Sequence, residues 1–380
     1  MELYILDKQR TPVAVVDAYT SLIWTTRYYT YGDFELCIPA DKKYLDFLKR
    51  DYFVTRDDDD SVMLIEKIQI KTDTENGDLF IVSGRSLESI LTRRIFNQQF
   101  YVTHSGGLSA LINVMIYECT GGNRTAEAYR KIPELQVSHT FSPQVNMSVQ
   151  FTGDVLFDAI SSICKPLGIG VKMRLSGSKM VLSLYEGNEV EAVFSEEFDN
   201  LINSDYTFDT MNLANQAWVA GEGQGKNRQW ISVLKSTFAN RPSGLDLREL
   251  YVDARDVTSN DGEIAQNEYI NMLSERGDQK LYEHEITQTF EAEVEPDSTY
   301  RYKTDYNLGD VVTVINEYGV TARPRILEII ESWDDTGYKV VPTFEELEVT
   351  GEFVQYALLM DNTKAYIRDK TGAYICVKED

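Results

Sequence analysis

Histidine, cysteine, long apolar runs and positive charge are what this chain has least of, and each shortage closes a class of function. Only three histidines, His104, His139 and His284, occur in 380 residues. None stands near a cysteine or a second histidine at metal-ligand spacing, so no metal site is expected. The four cysteines, Cys37, Cys119, Cys164 and Cys376, lie far apart and form no C-x-x-C pair. Free buried thiols in a protein folded in a reducing cytosol are expected. No stretch approaches the roughly 20 apolar residues of a membrane helix. The start, MELYILDKQRTPVAVVDAY, has no basic segment leading into a long apolar run, so neither a signal peptide nor a membrane segment is expected. Lys and Arg number 37 against 61 Asp and Glu, a formal net charge of −24. Gripping nucleic acid needs clustered Lys and Arg, which argues against that function. The same balance suits a wall past which DNA slides without sticking, because like charges repel.

What is present favours β structure. There are 23 tyrosines and 16 phenylalanines, with frequent Thr and Val. Residues 2–7 and 13–19 alternate around KQRT and predict a hairpin. Two more strands flank Tyr31-Gly32-Asp33, and a second hairpin turns at Glu75-Asn76-Gly77-Asp78. SLESILTRRIF predicts a short amphipathic helix with Ser86 as N-cap. Residues 1–100 are therefore expected to form a β-rich unit closed by a helix. Residues 101–190 contain two helical patterns, LSALINVMIYECT and TGDVLFDAISSICKPLG, followed by a hairpin, and predict a small α+β unit. Strands return over 191–345, interrupted by a helix with Ala265, Tyr269, Met272 and Leu273 on its apolar face and Gly277 as its C-terminal glycine. Residues 346–380 predict a tail hairpin around Lys370-Thr371-Gly372. No strict internal repeat appears.

YEHEITQTFEAEV contains His284-Glu285, the start of the zinc pattern H-E-x-x-H, but position 288 is Gln. The run also alternates. Even positions 282–294 are mixed to apolar, and odd positions read Glu283, Glu285, Thr287, Thr289, Glu291 and Glu293. One long strand with a polar, acidic face is expected. The turn Asp57–Asp60 lacks the Gly and Glu of a calcium loop, since Val62 and Ile68 stand at those places. VAGEGQGKNR fails the phosphate-loop pattern at Ala220 and Asn227, which leaves a hairpin loop. No G-x-S-x-G elbow occurs, and with 61 acidic residues no single carboxylate pair stands out. No catalytic residue and no cofactor are expected.

Several segments occur together in one order: YGDFELCIPAD, GRSLESILTRRI, LANQAWVAGEGQGKNR, LRELYVDARDV and YNLGDVVTVINEYGVTARPRILEIIESWDDTGYKVVPTFE. This set resembles the tail hub proteins of long-tailed bacteriophages of Gram-positive bacteria, the tail-tip Tal proteins. These are similar to the N-terminal domain of tail-associated lysins and to the baseplate hub of contractile phages. The resemblance covers most of residues 1–345. It implies a mainly β fold with α+β: two β-barrel-like hub domains, 1–100 and 191–345, flanking the α+β domain, with three chains in a homotrimeric ring. It also implies a structural protein of the virion tail tip, assembled in the host cytoplasm. The partners implied are the distal tail protein, the tape-measure protein, receptor-binding or fibre proteins, and DNA that passes without specific binding. The hydrolase that follows the hub in many relatives is not expected in the roughly 35 residues after position 345. The acidic positions Glu283, Glu285, Glu291 and Glu293 are the candidate channel-facing surface. The alternatives are a cell-wall hydrolase using acidic residues and a host-saccharide-binding tail protein whose reader is the tail hairpin, Tyr356 to Asp380.

Overall fold

The computed structural model describes residues 1–380 apart from 73–76, 196–197, 199, 236–240, 261, 295–298, 316–320, 347–355, 359–375 and 379–380. Residues Met1–Glu345 form one compact unit and Glu346–Asp380 a second.

Alternating apolar residues make strands of most of the first hundred residues: β1 (Leu3–Leu6), β2 (Pro12–Val16), β3 (Ser21–Arg27), β4 (Asp33–Pro39), β5 (Phe53–Arg56), β6 (Val62–Leu64), β7 (Lys67–Lys71) and β8 (Leu79–Arg85). The expected hairpins β1–β2, β3–β4 and β7–β8 all form. Leu87–Arg93 is a 3₁₀ turn rather than an α-helix. Ser86 does not cap it, because its hydroxyl accepts instead from the Gly32 backbone N–H at 2.8 Å.

The next segment runs β9 (Phe100–Gly107), α1 (Leu108–Cys119), β10 (Leu135–Val137), β11 (Gln144–Phe151), α2 (Leu156–Cys164), β12 (Gly170–Ser176) and β13 (Lys179–Tyr185). Helix α2 buries Leu156, Ala159, Ile160 and Ile163, four of the five residues whose spacing predicts one apolar face, while the fifth, Val155, is half-buried at the N-cap. A following 3₁₀ turn stops at Gly168, whose φ of 67° is left-handed and favours glycine. Then come β14 (Glu189–Ser195), β15 (Leu201–Asp209), β16 (Gln216–Ala220), β17 (Trp230–Leu234), β18 (Glu249–Asp253), α3 (Gln266–Tyr282), β19 (Thr287–Val294), β20 (Val311–Ile315), β21 (Thr321–Ala322), β22 (Pro324–Asp334) and β23 (Gly337–Glu346). In the second unit β24 (Tyr356–Leu358) pairs antiparallel with β25 (Cys376–Lys378). The expected turn at Lys370-Thr371-Gly372 lies outside the described residues.

The main sheet has the order β15-β19-β23-β22-β3-β4-β8-β7. It passes from the C-terminal strands to the N-terminal ones through the antiparallel pair β22–β3, in which Glu328 faces Arg27 and Glu331 faces Trp24. Barrel-like closure is not found among the described strands: the sheet ends at β15 and β7, and these two edges do not pair with each other. A core lies against each half. Leu3, Ile5, Trp24, Phe34, Leu36 and Val82 are fully or almost fully buried under the β3-β4-β8 half. Phe194, Val312, Ile326, Ile329 and Phe344 do the same for the other. Burying one such side chain stabilises by about 1.5–3 kcal/mol. A third core packs α1 and α2 against β12 and β13, and a fourth packs α3 against β16, β17 and β18.

Candidate functional site

Arg56 ends β5 with its side chain fully buried. The guanidinium lies 5.3 Å from the Trp24 ring centroid and 4.6 Å from that of Trp333. It donates to both carboxylate oxygens of Glu331 (2.8 and 3.0 Å) and to both of Asp58 (2.8 and 2.6 Å). The Tyr338 hydroxyl also donates to Glu331 at 2.9 Å, and its ring stacks on Trp333. Burial by itself would lower the arginine's pKa, and the two carboxylates more than offset it, holding the group above its ordinary range. Arginine fits here because its planar fork pairs with carboxylates while its faces stack on indoles. Removing Arg56 or Glu331, whose side chains are both buried, would leave a buried charge without its main partner, which typically costs about 3–5 kcal/mol. The cluster therefore fastens β22 to the N-terminal strands. Arg27 repeats the device nearby, bonded to Asp33 and Glu328.

Beside this joint opens a cleft of about 430 Å³. Its walls are the Asp58–Asp60 turn, Glu88, the β12 residues Val171–Arg174, the stretch Tyr185–Asn188 and the loop carrying Tyr302 and Lys303. The acidic turn is matched by cations of the chain itself. Lys303 Nζ sits 2.7 Å from Asp59 and 3.7 Å from Asp58, and Arg174 reaches Asp60 at 3.0 Å. Burial acts against the Asp59 carboxylate, yet Lys303 and Ser61 hold its pKa below the ordinary value. The turn is thus a strut between segments. Glu88 is buried in the same wall and accepts from the Met173 N–H at 2.5 Å. Burial pushes its carboxyl pKa up.

The acidic stretch after α3 differs from its sequence reading. The helix runs on through Gly277 to Tyr282, and the strand begins only at Thr287. Leu273, Gly277 and Leu281 continue the buried helical face at a spacing of four, which overrides the alternation that starts at Tyr282. Glu283 is exposed just past the helix and pairs with Lys280 at 2.6 Å. Glu285 pairs with Lys235 at 2.6 Å. His284 turns its Nδ1 to the Lys280 carbonyl at 2.8 Å, while its own carbonyl accepts from Ala214. Of the four acidic positions, only Glu291 and Glu293 lie in β19, opposite Asp205 and Asn203 of β15.

The other histidines hold local structure. The ring of His139 bonds the Ser109 hydroxyl at 2.7 Å, and that of His104 meets the Gly107 carbonyl at 3.1 Å. Among the described residues no group of three or more His, Cys, Asp or Glu is placed to hold a metal. Cys119 and Cys164 are buried free thiols, as expected, and Cys37 is a half-buried one. Burial pushes the thiols of Cys119 and Cys164 up to about 12.

Residues 2–344 match the Siphovirus ReqiPepy6 Gp37-like protein family. The chain belongs to that family. No curated protein sequence matches it. The fold of this Gp37-like protein is shared with solved tail proteins of low identity. The 43 kDa tail protein of prophage MuSo2 from Shewanella oneidensis is 16% identical with a TM-score of 0.57, covering 90% of this chain and 98% of that one. The tail protein from Neisseria meningitidis MC58 is 13% identical at a TM-score of 0.55, covering 90% and 96%. Prophage tail protein gp18 from Listeria monocytogenes EGD-e is 11% identical at 0.54, covering 92% and 95%. Among the described residues of the Gp37-like chain, no helix is long and apolar enough to cross a membrane.

Proposed function

We propose that this Gp37-like protein is a structural tail-tip hub that works as a homotrimer rather than as an enzyme. The observation that carries the reading is a duplicated strand order. The N-terminal half of the main sheet reads β3-β4-β8-β7 and the C-terminal half β15-β19-β23-β22. In each half the last two strands in sequence exchange places in the sheet. The flanking strands agree as well: β1 pairs β5, which pairs β6, and β14 pairs β20, which pairs β21. The first of these pairs is antiparallel in one half and parallel in the other.

The joint β22–β3 therefore unites the trailing edge of one repeat with the leading edge of the other. The free edges, β7 and β15, are the same two kinds. A second copy can repeat the joint by laying its β15 along β7, and such head-to-tail contacts close into rings. All of β7 is exposed, with Ile68 at 36% and Ile70 at 54%. Ile326 and Ile329 of β22, the corresponding strand, are fully buried. An uncovered apolar edge strand is a liability unless a partner covers it. Lys67 and Lys71 bound this edge, and the sequence of β15 supplies Asp205 and Asp209.

Three chains would set six repeats around a channel at the virion tail tip, between the distal tail and tape-measure proteins on one side and fibre proteins on the other. DNA would pass an acidic wall to which β19 contributes the Glu291 and Glu293 positions. Light scattering on the purified chain should give three times the 43.4 kDa mass. The double variant Ile68→Lys/Ile70→Lys should give a monomer with an unchanged circular dichroism spectrum. A wild-type monomer at micromolar concentration would refute the trimer.

A further inference from the structure

We propose that a single antiparallel register seats β15 of one copy on β7 of the next, with Lys67 opposite Asp209, Gln69 opposite Thr207 and Lys71 opposite Asp205. The inference rests on the hub reading above and adds what selects a second copy of this chain as the partner. Strand β7 reads KIQIK, and β15 ends in DYTFD. Each segment has a charged residue at both ends, two apolar or aromatic residues inside them and an uncharged polar residue at the centre. Run antiparallel, as β22 and β3 run, they match lysine with aspartate twice. Ile68 then stands opposite Phe208, and Ile70 opposite Tyr206. Sliding one strand by two residues in either direction loses both charge pairs, and sliding by four keeps only one.

The faces of the sheet require the same parity. Opposite residues in a ladder share a face, and a slip of one residue reverses every face. Ile68 pairs Val82 and Ile70 pairs Phe80, and both partners are buried in the core under β3, β4 and β8. The two isoleucines therefore extend the core face of the sheet past its last strand. At the other edge Tyr206 stands opposite Phe290, and Phe290 opposite Phe344, which is fully buried in the second core. Setting Ile70 opposite Tyr206 places both core faces on one side. The joint within the chain does the same: Ile329 pairs Thr26 and Glu331 pairs Trp24, so Ile329 and Trp24 share a face.

The other face carries the charges. Asp205 stands opposite Glu291 in its own sheet, and like charges placed directly opposite are unfavourable. A lysine on the open side of Asp205 offsets that excess, and Lys71 is the residue this register places there. The other leading edge, β3, holds no carboxylate between Ser21 and Arg27 and ends in a cation, so β7 fits β15 better than β3. At an exposed edge each pair is worth little, so the pairs set register and partner rather than affinity.

Light scattering and circular dichroism on the full-length chain test this. Lys67→Glu/Lys71→Glu and Asp205→Lys/Asp209→Lys should each raise the concentration at which the trimer dissociates by about tenfold or more, with an unchanged spectrum. Combining all four substitutions should restore it to within about threefold of wild type. Independently, mild oxidation of Gln69→Cys/Thr207→Cys should link chains head to tail on a non-reducing gel, whereas Gln69→Cys/Asn203→Cys should link them no more than wild type. A wild-type monomer would overturn the hub reading and this inference together. A wild-type trimer whose charge variants stay trimeric, or whose combined variant folds without reassembling, would overturn the register and leave the hub resting on another surface. Should the combined variant lose its spectrum, the cross-link decides: no preference for position 207 over 203 sinks the register.

Discussion

Glu88 is a carboxylic acid held where its ionised form is disfavoured. It is buried and accepts the Met173 N–H, and Asp60 adds to the upward push on its pKa. A carboxyl whose folded pKa lies above the ordinary 4.5 stabilises the fold fully at pH below 4.5, and that contribution is lost as pH rises through the folded pKa. Glu88→Gln keeps an acceptor for Met173 and removes the ionisation. It should stabilise the protein at pH 8 by on the order of 1 kcal/mol, with the difference vanishing towards pH 4, as read from urea unfolding at both values. Arg56 is the opposite case, a buried charge that is fully paired. Its sequence context, TRDDDD, shows only an acidic turn. The decisive partner, Glu331, is 275 positions away, and no local pattern announces a pair at that distance.

Helix α3 shows how far local pattern carries at the scale of an element. The face Tyr269, Met272 and Leu273 is legible from its spacing, but Ala265, expected on it, is exposed at the N-cap, and Gly277, a stop signal by pattern, lies inside the helix. In the structure it is a point of closest approach. A Cβ there would lie 2.6 Å from a methyl of Val233 and 2.9 Å from one of Val219. Both valines are rigid at χ1 and sit in a packed sheet. Gly→Ala inside a helix ordinarily gains about 1 kcal/mol. Here Gly277→Ala should instead lower stability by about 1–3 kcal/mol, since overpacking outweighs propensity, and a thermal melt reads the sign. Hairpins were legible because both strands and the turn are neighbours in sequence. The β22–β3 pairing and the exchanged strand order were not, because repeated topology does not require repeated residues. The same applies to Trp218, Trp230 and Tyr251, which belong to separate strands and are brought together only by register. His284-Glu285 shows the converse, a motif fragment legible in sequence whose place in the structure is a helix end.

For the whole molecule the governing quantity is its formal charge of −24. Bringing copies together sets these charges against one another, whereas Lys–Asp contacts at an exposed edge are each worth only about 0–1 kcal/mol. Repulsion should win at low salt. Association into the proposed trimer should therefore tighten between about 0.05 and 0.5 M NaCl as the Debye length falls from above about 10 Å to a few Å, a trend that sedimentation equilibrium can follow. Loosening with salt would mean that the edge contacts dominate. The joint between β22 and β3 also imposes an order on synthesis. Arg27 and Glu328 are 301 positions apart, so β3 leaves the ribosome long before its partner exists. Through that interval the nascent chain shows a bare leading edge of the kind that a finished neighbour's β7 would accept. Folding and the proposed assembly would thus compete for one strand. Slow translation before β22, or crowding of chains on one message, would favour misjoined oligomers over correctly closed subunits.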